Sequence, residues 1–277
     1  MNKIKFLVSM DACFVYHMLS VARCGYDNDH GAEHRTKYQQ RDLAVLKTYE
    51  SLLTVQGGER CGELYGFLVA QPACGNIPAA EYYHTFPQSA HMEHLTEFAQ
   101  PIKEICSVMV QCYPIFMEQV WPQSKLVIRN YVEPLIDRFE KSNFTDLAEQ
   151  VVDCRLNTPY FYAVMTDSME NGAEAIDISV DKDVFSITRS PDHAYAFIAH
   201  EYVIYLLKSA LRDSSAFKSF KTWNITEALA EFYLQQILGD TGTFQRQNKW
   251  IRFYENLKIE NPTYAPVALY QAAEARL

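Results

Sequence analysis

Positive charge is scarce in this chain, no two cysteines stand in a C-x-x-C pair, and no apolar run is long enough for a membrane span. Each absence removes a class of function. With 25 Lys and Arg against 34 Asp and Glu, a net charge of −9 argues against nucleic acid as a partner, since phosphate contacts want a basic face. Seven scattered cysteines, odd in number, signal neither a disulfide framework nor a structural zinc knuckle, and read as reduced, mostly buried thiols. Lys3 and Lys5 ahead of Phe6-Leu7-Val8-Ser9-Met10 open like an export signal. Asp11 and His17 break its apolar core, however, and no small-residue cleavage site follows, so a cytoplasmic location without a membrane partner is expected. No serine lies in G-x-S-x-G, and Gly62-Glu63-Leu64-Tyr65-Gly66 lacks the lysine of a phosphate loop, which leaves nucleotide chemistry unsupported.

What is present describes an ordered globular chain. Only 10 of 277 residues are glycine, 48% are hydrophobic, and 18 tyrosines and 16 phenylalanines supply material for a substantial core. The pattern predicts an α+β fold with a mainly helical region over 1–155 and a second region over 156–277. A strand is expected at Ile4–Ser9, then a helix capped near Asp11 and stopping at Gly25. Further helices are expected over 42–54, over 93–117 with a bend at Pro101, over 127–138 and over 144–153. Two prolines and Gly75 make 71–87 read as irregular. Runs rich in aromatic and β-branched residues predict strands over 159–165, 173–180 and 184–188. Asp192, next to Pro191, is the expected cap of the following helix. A last helix over 249–257 precedes an irregular tail.

The segment Phe197-Ile198-Ala199-His200-Glu201-Tyr202-Val203-Ile204-Tyr205-Leu206 carries the chemistry. In H-E-x-x-H, two histidines four apart on a helix face one metal, and the glutamate between them activates a water. His200 and Glu201 stand in that order, but Ile204 occupies the second histidine's place. About twenty residues on lies Thr222-Trp223-Asn224-Ile225-Thr226-Glu227-Ala228-Leu229-Ala230-Glu231-Phe232-Tyr233. It resembles the glutamate helix of the gluzincin zinc metallopeptidases, whose third zinc ligand sits in a W-x-x-E-G-x-A-E-Y-like run. Trp223, Glu227, Ala230 and Glu231 match, and Ala228 stands where glycine is common.

The resemblance implies a zincin-like core of bacterial type after about residue 155, a small mixed sheet packed on the His-Glu helix and the glutamate helix. It implies zinc, if the protein is active, held by His200 and Glu227, with Glu201 as general base and Glu231 orienting His200 from behind. It also implies a peptide or protein ligand in the cleft, met by strand addition at Asn171, Gly172, Ala173 and the strand beyond.

Ile204 cannot donate a lone pair, so catalysis is expected to be impaired or lost and no cofactor need be bound, as in a pseudoenzyme. The sequence leaves three rescues open: His193, two helical turns before His200; a phenol from Tyr202 or Tyr205; or an alteration at Ile204 itself. An active, divergent peptidase with Tyr233 or Tyr202 at the oxyanion remains one alternative. A non-catalytic helical interaction protein is another. One histidine does not neutralise three carboxylates, an imbalance that favours a cation or solvent nearby. Elsewhere, His91, His94 and Glu97 share a helical spacing, and His30 and His34 sit in a polar stretch that reads as a solvated turn.

Overall fold

A computed structural model describes residues 2–54, 64–170, 175–187, 190–239 and 248–277. The fold is α+β, with many helices and one four-stranded mixed sheet. Two compact units are each assembled from separate stretches of chain: 1–5, 134–161 and 190–277 form the first, and 6–133 with 162–189 the second.

The sheet runs β1 (Ile4–Leu7), β2 (Phe161–Thr166), β4 (Lys182–Ser186), β3 (Ala175–Ser179). β2 pairs parallel with β4, Val164 opposite Val184, and β3 pairs antiparallel with β4, with a register shift between Asp177 and Ser179. The near-continuous burial of Ala163-Val164-Met165-Thr166 and Asp183-Val184-Phe185-Ser186 is what central strands show. β3 ends the strand order and so forms an edge.

In the second unit, α1 (Met10–Val21) is buried from Ala12 to Val21, as a helix apolar on every side must be. Ser9, not Asp11, caps it by accepting the Ala12 N–H; Asp11 instead accepts the Ala79 N–H at 2.8 Å. α2 (Asp29–His34) and α3 (Gln40–Thr48) follow, then the short α4 (Glu50–Leu53). The expected irregular stretch at 71–87 is largely helical, with α5 (Gln71–Ala73) and α6 (Ala79–Thr85). Pro72 closely follows the wide helical turn Gly66–Ala70, whereas Pro78 precedes a first turn, a position where the missing N–H breaks no helical bond. The same logic applies to Pro101, which sits in the first turn of α7 (Ala99–Gln119) rather than at a bend within it.

The chain passes between units within α8 (Trp121–Ser142), at Pro134. In the first unit, α9 (Phe144–Val152) packs on α10 (Pro191–Ala210) and α11 (Phe220–Leu238). α12 (Asn248–Glu260) and α13 (Pro266–Glu274) pack on α11, so the expected irregular tail holds a helix that begins at Pro266. Aromatic contacts knit this core: Phe144 with Tyr202 at 5.9 Å between ring centres, and Phe161 with Tyr205 at 4.8 Å. Among the described residues no helix is long and apolar enough to cross a membrane.

Candidate functional site

α10 begins where Ser190 Oγ accepts the His193 N–H at 3.2 Å, with Pro191 at the first helical position. Asp192 lies inside the helix and is not its cap; its carboxylate meets Arg138 at 2.5 Å instead. Ten residues from the cap, the helix carries His200 into the interior, where it is 1% exposed. Ile204, one turn further, is equally buried, and Glu201 is half-buried. α11 starts from a reciprocal cap in which Ser219 and Thr222 satisfy each other's backbone N–H groups. That places Glu227 and Glu231 one turn apart on this helix.

The two helices pack together and their polar groups converge. His200 Nε2 is 3.0 Å from Glu227 Oε2, and His200 Nδ1 is 3.8 Å from Glu231 Oε2. Gln235 donates from Nε2 to Glu231 Oε1 at 2.8 Å, fixing that carboxylate from the far side. Burial would pull the His200 pKa down, but the bond to Glu227 and the charges of Glu227, Glu201 and Glu231 outweigh it, leaving the imidazole easier to protonate than an ordinary histidine. The structure thus brings together His200, Glu227 and Glu231, with Glu201 close enough to act on the same ring.

His193 and the two tyrosines make other contacts. The Phe197 ring stacks between His193 and His200, at 5.9 Å from one and 6.4 Å from the other. The Tyr202 hydroxyl donates to Glu149 at 3.4 Å, and the Tyr205 ring lies against Phe161 with Lys208 Nζ 4.2 Å from its centre. Among the described residues no three histidine, cysteine or acidic side chains stand ready around one ion. Trp223, part of the sequence match, packs edge-on against Phe217 and is 38% exposed. Asn171, Gly172 and Ala173 lie outside the described residues; the strand beyond them is β3, whose Ile178 carbonyl accepts from the Cys74 thiol at 2.9 Å. A cavity of about 490 Å³ is lined by Asp146, Glu149, Gln150, Asp153, Cys154 and Arg155, none of them from the predicted set.

A second polar cluster escapes the sequence reading. His30 and His34 do not sit in a solvated turn: α2 packs on α1, and both rings contact His17, which is fully buried. The four-residue interval between His30 and His34 was the one available signal, because it puts both rings on one helix face. His91, by contrast, packs on Phe67, with 4.9 Å between ring centres. Comparison with protein-family models, with curated proteins and with solved structures finds no match to this chain.

Proposed function

We propose that the chain is a homologue of the gluzincin metallopeptidases in which zinc catalysis is impaired or lost and peptide binding is retained. The supporting observation is the convergence of the His200 imidazole on Glu227 and Glu231, with buried Ile204 in the remaining ligand position. A catalytic zinc takes three protein donors and keeps a fourth position for water. Here the donors are His200 Nε2 and Glu227 Oε2, and an aliphatic carbon stands where the third should be. That donor set does not fit a resident catalytic zinc.

The residues present do something else. A proton on His200 Nε2 donates to Glu227, and the Glu231 carboxylate faces the other ring nitrogen. Once protonated, a form its raised pKa favours, the imidazole supplies positive charge to its two neighbouring carboxylates. Glu201 keeps the place of a general base, but the step it would assist needs a water activated by the missing ligand set. Peptide binding would draw on the edge position of β3, by strand addition along the part nearer Ala175, since the Ile178 carbonyl already accepts from Cys74.

The test compares wild type, Ile204→His, and Ile204→His combined with Glu227→Gln. Ile204→His is expected to take up one zinc more than wild type, the double variant to lose it, and wild type to cleave no peptide while binding labelled extended peptides in fluorescence anisotropy. Chelator-sensitive cleavage by wild type, abolished in Glu201→Gln, refutes the loss of catalysis. Absence of any zinc gain in Ile204→His refutes the gluzincin geometry, and absence of peptide binding refutes the retained role.

A further inference from the structure

We propose that His17, His30 and His34 form a binding site for a transition-metal dication of the zinc type, separate from the His200 region and independent of the reading above. The three rings contact one another in pairs, although as placed they are not yet a ready ligand set. Their centres are 5.0 Å (His17 to His30), 5.5 Å (His17 to His34) and 4.8 Å (His30 to His34) apart. Three imidazoles bound to a tetrahedral ion at about 2.0–2.1 Å have ring centres about 5 Å apart, so the triangle is already of the right size.

The hydrogen bonds aim the nitrogens inward. His17 Nδ1 and His30 Nε2 face each other at 2.7 Å. Behind them, the Tyr38 hydroxyl holds His17 Nε2 at 2.8 Å, and Asp167 Oδ2 lies 3.7 Å from His30 Nδ1. Two of the three rings thus have an oxygen behind them, hydrogen-bonded at His17 and beyond hydrogen-bond distance at His30, the position from which a metal-bound histidine is oriented. If both outer nitrogens carry their protons toward those oxygens, two lone pairs confront one another, and a cation between them resolves the conflict. The third ring adds an independent sign: His34 Nδ1 is buried and makes no hydrogen bond among the described residues.

The backbone is built to bring these rings together. A Cβ on Gly31 would lie 2.5 Å from the Ser20 carbonyl oxygen, so only glycine lets α2 approach α1 this closely. Asn28 caps α2 by accepting the Gly31 N–H at 2.8 Å and the Ser20 hydroxyl at 2.6 Å. Its amide donates to the carbonyls of Ser168 and Glu170, which ties α2 to the chain around Asp167.

Uptake requires adjustment. Nitrogens of one tetrahedral ion sit about 3.3 Å apart, so the 2.7 Å pair must spread and His34 must turn before three donors meet. Glu33 is exposed, so the site is assigned to binding rather than to catalysis.

The test uses the full chain, stripped with chelator and titrated with Co²⁺ and then Zn²⁺, with circular dichroism verifying that each variant is folded. Wild type is expected to bind one equivalent with the visible bands of tetrahedral cobalt, which zinc bleaches. His34→Gln and His30→Gln are expected to weaken binding at least about tenfold, and Asp167→Asn about 10–100-fold, the range for a group that orients a ligand. His84→Gln, exposed on α6, is expected to leave it unchanged. Folded wild type with no cobalt bands overturns the proposal. So does binding that survives in both His34→Gln and His30→Gln, or that is lost in His200→Gln and kept in His34→Gln.

Discussion

Replacing His200 with leucine removes the imidazole that faces the buried Glu231 carboxylate. Glu231 is 2% exposed, its Oε2 faces His200 Nδ1 at 3.8 Å, and its other oxygen is held by Gln235. Breaking a buried ion pair from one side costs about 3–5 kcal/mol, because the remaining charge is left uncompensated. Glu227 contributes less to that penalty, since its side chain is 23% exposed and water can reach it. Leucine fills the space of the ring, so little of the cost is cavity. Replacing both partners, His200→Leu with Glu231→Leu, removes the stranded charge and should recover most of the loss. A double-mutant cycle should therefore give a coupling of about 2–3 kcal/mol, toward the upper end for residues in contact. Urea unfolding at neutral pH with chelator present, followed by far-UV circular dichroism, measures each corner of the cycle. A single variant that loses less than about 1 kcal/mol, or a double variant whose loss equals the sum of the singles, would refute the claim that His200 neutralises Glu231.

Gly31→Ala forces a methyl to within 2.5 Å of the Ser20 carbonyl, so a loss of about 1–3 kcal/mol is expected, and an unchanged urea midpoint would contradict the close approach of α1 and α2. Asn28→Ala deletes the cap of α2 together with both amide bonds to 168 and 170, and about 2–4 kcal/mol should be lost in the same assay. Burial pushes the thiols of Cys24, Cys106 and Cys112 up to about 12 from an ordinary 9.0, so the thiolate forms only at strongly alkaline pH. A shift of that size means about 1,000-fold less thiolate at pH 8, so mass-mapped alkylation should label the partly exposed Cys74 and Cys154 before these three. Labelling of Cys106 in native protein at comparable speed would contradict its burial.

The parts of the fold that were legible are those governed by local pattern. Phe161-Tyr162-Ala163-Val164-Met165 reads as a buried strand because its side chains fill both faces, and it is one. The pairing of His200 with Glu227 was expected only from the resemblance of the two segments to the gluzincin helices, and the two side chains do meet at 3.0 Å. Positions set by competition among neighbours were not. Ser9 and Ser190 outcompeted Asp11 and Asp192 as caps, and in both cases the serine precedes the aspartate by two residues and meets the free backbone N–H first. Helix α6 was hidden because Pro78 looks like a breaker until its place just ahead of a first turn is known. His17 lies in an apolar helix with no polar periodicity, so its meeting with His30 depends on a tertiary approach that only Gly31 permits.

The interleaved build of the first unit bears on how the chain matures during synthesis. Lys3 accepts the Phe161 N–H at its carbonyl, donates its own N–H to Thr145 and pairs its ammonium with Glu149, so these bonds wait until the ribosome has added more than 140 further residues. Contacts of such long sequence separation are slow to form and expose unsatisfied strand to other molecules in the interval. Nascent chains stalled before residue 161 should therefore be held by chaperones or lost to aggregation more readily than the finished protein.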